Sequence, residues 1–215
     1  MVNLNNYENI FLELKPFNAK LVAISKTKSV EDINVLLNHG QKSFGENYVQ
    51  ELVEKNETIP DAEWHFVGHL QTNKVKLISS FIHLIHGVDS ISILKEINKQ
   101  AEKSKRIQEC LLQIHIAKEE TKFGFSFDEA DLLLNSNEIK TLKNVSIKGF
   151  MGMSTATDNK SQIKKEFSSL KIFFNKYKSA DFSILSMGMT SDYKIALEEG
   201  SNMVRIGSAI FGERN

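Results

Sequence analysis

An amine at the end of a buried strand is a chemical group as much as a charge, and the segment LVAISKTKS at residues 21 to 29 offers one at Lys26. A lysine there is ordinarily a solvated cation. Partly desolvated, it loses its proton more readily and its neutral form attacks an aldehyde carbon. Two later segments, SMGMTSD at 186 to 192 and RIGSAIFG at 205 to 212, combine hydroxyls with glycines just after apolar runs. Ser186, Gly188, Gly207 and Ser208 could together present hydroxyls and backbone amides to a phosphate, with glycine allowing the backbone to come close to the anion. Either segment alone reads as a chain turn; as a pair they describe a cradle. Amine plus cradle suits a phosphorylated aldehyde.

Arg205 lies two positions before Gly207. One role for it is an ion pair at the rim of the fold. Beside a bound pyridine ring it would instead place a permanent cation at the ring nitrogen and keep that nitrogen unprotonated, leaving the ring a poor electron sink. Other chemistries find less support. Gly40 and Gly45 have the spacing of a P-loop start, but Glu46 and Asn47 follow where Lys and Ser/Thr are required. No GxGxxG follows the first strand. His83 and His86 are an odd number of residues apart on a predicted strand and would face opposite sides, so no metal site is predicted.

These residues need elements to hold them. Leu4, Tyr7, Ile10, Phe11 and Leu14 recur at helical spacing, which predicts an amphipathic N-terminal helix over 4 to 15 that ends at Pro16. Short apolar runs predict strands at 20 to 25, 42 to 45, 64 to 68, 82 to 88, 111 to 117, 145 to 150, 182 to 187 and 203 to 206. The first is followed by a helix with Ser29 as N-cap and Gly40 as stop, and the others alternate with helical patterns near 47 to 57, 72 to 79, 91 to 104, 127 to 136, 160 to 178 and 190 to 199. Such alternation requires parallel strands. Eight units argue for a single (β/α)8 TIM barrel domain over 1 to 215 with an extra N-terminal helix; an open doubly wound sheet is the alternative. In a barrel the loops after the strands converge on one face, which brings Lys26 across from the cradle.

Composition narrows the partners. Lysine plus arginine and aspartate plus glutamate balance at 27 each, so nothing draws the 215-residue chain broadly toward nucleic acid or anionic lipid. The single cysteine, Cys110, can form no intrachain disulfide, no apolar stretch is long enough to cross a bilayer, and the N-terminus lacks a basic leader. A cytoplasmic protein is expected.

The segments LVAISKTKS, FGENYVQE, WHFVGHLQTNK, HGVDS, KGFMGMST and SMGMTSDYKIALEEGSNMVRIGSAIFGER, in this order over residues 20 to 214, together resemble the YggS/PROSC family of pyridoxal 5'-phosphate (PLP) homeostasis proteins. The resemblance implies a barrel like the N-terminal domain of alanine racemase, with PLP held as an imine on Lys26. It further implies Asn47 near the ring, Met151 along its wall, Ser186, Gly207 and Ser208 at the phosphate, and Arg205 at the pyridine nitrogen. Two positions depart from the family pattern: His69 stands where proline is common, and Ser208 where threonine is usual. Ser208 keeps the hydroxyl, and an exposed loop residue is the simplest account of His69.

The function expected on this basis is to carry or buffer PLP and so to serve PLP and amino-acid/keto-acid homeostasis, without turnover and with no catalytic residue. Racemisation on such a barrel needs a second acid/base, and the related racemases take a tyrosine from a further C-terminal domain, whereas this sequence ends at Asn215 after its last barrel unit. Of Tyr7, Tyr48, Tyr177 and Tyr193, only Tyr48 falls near a strand end. A small PLP-dependent racemase and a cofactor-free aldolase using Lys26 are the competing functions. Expected partners are PLP and the PLP-dependent apoenzymes that would receive it, with the chain a monomer or weak homodimer.

Overall fold

The computed structural model describes residues 2 to 119 and 121 to 212, so Glu213 and Arg214 of the family-like segments lie outside the described residues. Eight parallel strands close on one another in chain order. They are β1 (Lys20–Ile24), β2 (Ser43–Glu46), β3 (Glu63–Phe66), β4 (Leu84–Val88), β5 (Gln108–Ile114), β6 (Val145–Gly152), β7 (Ile184–Ser186) and β8 (Met203–Ile206). Closure is made by β1 and β8, with Leu21 opposite Val204 and Val22 opposite Arg205. The predicted barrel and its N-terminal helix are both present; the open sheet is not.

Helices occupy the crossovers that parallel strands demand. After the N-terminal α1 (Leu4–Leu14) come α2 (Val30–Asn38), α3 (Val49–Thr58), α4 (Val75–Ile78) and α5 (Ile91–Lys103). Then follow α6 (Phe127–Asn135), α7 (Lys160–Tyr177), α8 (Tyr193–Glu198) and α9 (Ser208–Phe211). Their starts are set by local chemistry. The Ser29 hydroxyl accepts from the amide of Asp32 at 3.2 Å, and Ser126 with Glu129 forms a reciprocal capping box. Helix α2 stops at Gly40, whose φ of +88° suits a residue without a side chain. Helix α1 buries Tyr7, Ile10 and Leu14 and ties to α9 through Asn3, whose amide donates to the Ile210 carbonyl at 2.8 Å.

Alternation along each strand divides the interior into two layers. Phe44, Trp64, Phe66, Ile85, Phe150 and Ile206 belong to the large core cluster, while Val22, Leu84, Leu111, Met151 and Met203 form a separate small one. The second cluster is the filling of the barrel itself, a packed interior and not a pore. Polar residues are buried too: His65, His86, Ser186 and Arg205 are each at most 4% exposed. Buried polar groups must find partners. Those four find one another.

Candidate functional site

Strand β1 ends at Ile24, and the chain turns at once, with the amide of Lys28 donating to the Ser25 carbonyl at 3.0 Å. The turn forces Thr27 to φ +62°, an uncommon conformation for a β-branched residue. What holds it is a carboxylate: the Thr27 amide donates to Glu51 Oε1 at 2.5 Å. Beneath the turn lies a second anchor. Lys55 Nζ donates to the Ser25 carbonyl at 2.7 Å and to Glu46 Oε1 at 2.8 Å, and the Ser25 hydroxyl donates to the same Glu46 oxygen at 2.6 Å. Burial raises the Glu46 carboxyl above the ordinary carboxylate range, and Lys55 opposes that rise. The residue on either side of half-buried Lys26 is thus fixed by α3 and its neighbours, which sets where the amine can reach.

Paired with β1, and so beside Lys26 and not across the mouth from it, β8 delivers Arg205. Its Nη1 donates to the Ser186 carbonyl at 2.9 Å and to Ser186 Oγ at 2.6 Å, and its Nη2 donates to the Gly152 carbonyl at 3.1 Å. Burial lowers the guanidinium to about 10, and the charge of Asp192 counteracts part of that fall. It remains a cation near neutral pH. Beyond it, Gly207 is the N-cap of the short helix α9, and Ser208 is its first residue, where backbone amides have no acceptor within the helix. A Cβ at Gly207 would meet the Ile24 carbonyl at 3.1 Å, so a larger residue would crowd the end of β1. The Ser208 hydroxyl donates to Thr190 Oγ1 at 3.2 Å, joining the loops after β7 and β8.

These groups share one cavity of about 370 Å³, lined by Lys26, Lys28, Thr190, Ser191, Arg205, Gly207 and Ser208, among others. Four of the eight residues anticipated from sequence, Lys26, Arg205, Gly207 and Ser208, are therefore brought together. The other four do not line it. Asn47 directly follows β2 and Met151 stands near the end of β6, so both are on the same face of the barrel, but Met151 is buried in the small inner cluster and Asn47 packs its backbone against Gly68. Gly188 has φ +95° and abuts Ala196 and Tyr193, so its role is a tight turn that packs α8. Ser186 is wholly buried, and its hydroxyl accepts from Arg205. Missing from the sequence reading were Thr190 and Ser191. The hydroxyl pair that follows SMGM was the signal for them: Asp192 Oδ1 accepts from the Met189 amide at 2.6 Å and folds that loop back toward the cavity.

His69 is elsewhere. Its Nδ1 is 2.8 Å from Asp89 Oδ2, its ring stacks on Phe123, and it borders a different cavity with Asp89 and Ser90.

Comparison with known proteins places the chain in a family. The family described as "Alanine racemase, N-terminal domain" matches residues 4–215. The chain is also 40% identical over 205 residues to the pyridoxal phosphate homeostasis protein of Pasteurella multocida, covering 91% of this chain and 87% of that one. This chain belongs to the pyridoxal phosphate homeostasis family. A second member, from Aquifex aeolicus, is 37% identical over 202 residues, with 91% of this chain and 87% of that one covered. Among solved structures, PipY of Synechococcus elongatus, determined with PLP bound, superposes with a TM-score of 0.87 at 27% identity, covering 97% of this chain and 99% of PipY. Alanine racemase of Clostridium difficile shares the barrel with a TM-score of 0.77 at 17% identity, over 99% of this chain and 57% of the racemase. At that identity the likeness concerns fold alone. Among the described residues no helix is long and apolar enough to cross a membrane.

Proposed function

We propose that this chain is a one-domain PLP carrier that holds the cofactor on Lys26 in the cavity at the C-terminal ends of the strands. The observation that carries the reading is the meeting of an amine, a buried guanidinium and a hydroxyl-lined helix start in that one cavity. The donor set suits the group: Lys26 meets an aldehyde, Gly207, Ser208 and Thr190 meet a phosphate, and Arg205 meets a pyridine nitrogen. Asn47 and Met151, at strand ends on the same face but outside the cavity lining, would stand near the ring only as the family resemblance implies. Gly207 keeps the cradle shallow, since a side chain there would enter the space beside Ile24. When bound, PLP supplies an aldehyde that condenses with a primary amine and a ring that can accept electron density.

Each residue has a task the structure supports. The Ser25 carbonyl, clamped by Lys55, and the Thr27 amide, clamped by Glu51, hold the Lys26 turn in register. Arg205 donates and cannot accept, so a ring nitrogen held against it would stay without a proton. That favours retention of the cofactor over activation of a substrate. Supporting the absence of turnover, three tyrosine hydroxyls are occupied away from the cavity: Tyr7 on Gln41, Tyr177 on Asp131 and Tyr193 on Glu13. Tyr48 is 57% exposed at the start of α3 and does not line the cavity. In this reading the chain works in the cytoplasm, as a monomer or weak homodimer, and PLP-dependent apoenzymes receive what it carries.

Absorbance titration with PLP tests the proposal. A near-visible band that saturates at one PLP per chain and is absent in Lys26→Ala supports it, and incubation of the loaded protein with L-alanine in deuterated water should leave Cα unlabelled. A band retained by Lys26→Ala would overturn the site, and rapid labelling would overturn the carrier role.

A further inference from the structure

At the opposite end of the barrel, where the strands begin, three metal-binding residue types converge. Glu63 opens β3, His65 follows two residues later on the same face of that strand, and His83 immediately precedes β4. One candidate ligand atom from each lies within 4.8 Å of the other two. A second observation comes from His65 itself, which is only 2% exposed and whose Nε2 has no hydrogen-bond partner among the described residues. Its other nitrogen is engaged, since His65 Nδ1 is 2.9 Å from His86 Nε2. A buried imidazole with one nitrogen oriented by a neighbour and the other unpartnered is the arrangement of a metal-ligating histidine and its supporting residue.

We propose that Glu63, His65 and His83 form a binding site for a divalent transition-metal ion of the zinc class at the base of the barrel. Two imidazoles and a carboxylate are a usual donor set for such an ion, leaving a fourth position for water. Tetrahedral donors stand about 3.3 Å apart, so modest side-chain rotation closes the present spacing. The supports are in place: Ser43 Oγ donates to Glu63 Oε2 at 2.7 Å, leaving Oε1 for the ion, and Gln108 Nε2 donates to the His83 carbonyl at 3.2 Å. A neutral imidazole is the form that binds metal. Lys20 also acts on His65, but it is exposed and its long side chain can turn to solvent.

Coordination through Nε2 fixes the proton of His65 on Nδ1, which then donates to His86. His86 Nδ1 in turn lies 3.3 Å from Ser186 Oγ, the oxygen that accepts from Arg205. The ion thus sets the direction of a hydrogen-bond chain that crosses the barrel interior. The expectation that no metal would bind compared His83 with His86 along one strand; the cluster forms across two.

The test is calorimetric titration of the untagged, chelator-treated chain with ZnCl₂, with stoichiometry read by native mass spectrometry. We expect one zinc per chain, at least ~10-fold weaker binding in His83→Ala and in Glu63→Gln, and no change in His69→Ala. His83 is exposed, so its variant should fold, as circular dichroism will show. No saturable binding at about 100 μM zinc, or full binding in both His83→Ala and Glu63→Gln, would overturn the proposal. So would loss of binding in His69→Ala, which would place the ion at the His69 and Asp89 pair.

Discussion

Arg205 Nη1 lies 2.6 Å from Ser186 Oγ, so the serine expected from sequence at a phosphate brackets a buried cation. Removing its hydroxyl loosens the guanidinium without touching the phosphate cradle. Ser186→Ala should weaken PLP and phosphate-free pyridoxal by the same factor, about 5-fold for one lost hydrogen bond. Ser208→Ala should weaken PLP alone. Parallel fluorescence titrations with the two ligands separate these outcomes, and a Ser186→Ala effect confined to PLP would return that serine to the phosphate.

The charge of Arg205 makes its own prediction. With a permanent donor at the ring nitrogen, the absorbance maximum of the PLP-loaded protein should stay constant between about pH 6 and 9. Arg205→Gln removes the cation that disfavours ring protonation, so the maximum should shift with pH in that variant. A pH-independent spectrum in both proteins would confine Arg205 to bracing β7 and β6.

The barrel was legible because each strand carries its own signal. Leu21 to Ile24 is apolar without alternation, as a strand covered on both faces must be, and Ser29 and Gly40 mark the ends of the helix that follows. That Lys26, Arg205, Gly207 and Ser208 meet in one cavity was legible because strand ends in a barrel converge. Depth was not. Whether Ser186 points to the mouth or into the interior depends on register against β8, and Met203, not Arg205, is its Cα partner there. The cluster of Glu63, His65 and His83 was hidden for a related reason, since it joins β3 to the segment before β4, and spacing along one strand cannot display that.

Two buried histidines should steepen the loss of stability in acid. Both His65 and His86 are lowered by burial first, His65 from 6.5 to about 3 and His86 well below its ordinary value. In the unfolded chain they take up protons below about 6.5, while the folded chain keeps them neutral, so the unfolded state binds more protons and stability falls as pH drops. The slope is about 1.4 kcal/mol per pH unit for each histidine held neutral. Urea unfolding between about pH 6.5 and 4, with chelator present, should show it, and His65→Gln should flatten it. An unchanged slope in that variant would assign the acid limb to other groups.

Lys55 is the cation under the Lys26 turn. Glu46 is fully buried, and its Oε2 has no partner among the described residues, so the Lys55 ammonium is what compensates its charge. Lys55→Met should cost about 3 kcal/mol at pH 7, because a buried charge is left unpaired. The deficit should shrink toward pH 5, as the raised Glu46 carboxyl takes up a proton. Chemical denaturation at the two pH values measures both, and a pH-independent deficit would assign the loss to packing.

The central claim is a covalent bond at one amine. The PLP-loaded chain, reduced with borohydride and digested, should yield the pyridoxyl mass on the peptide containing Lys26. Finding that mass on Lys28, Lys74 or Lys122, with Lys26 unmodified, would contradict the account.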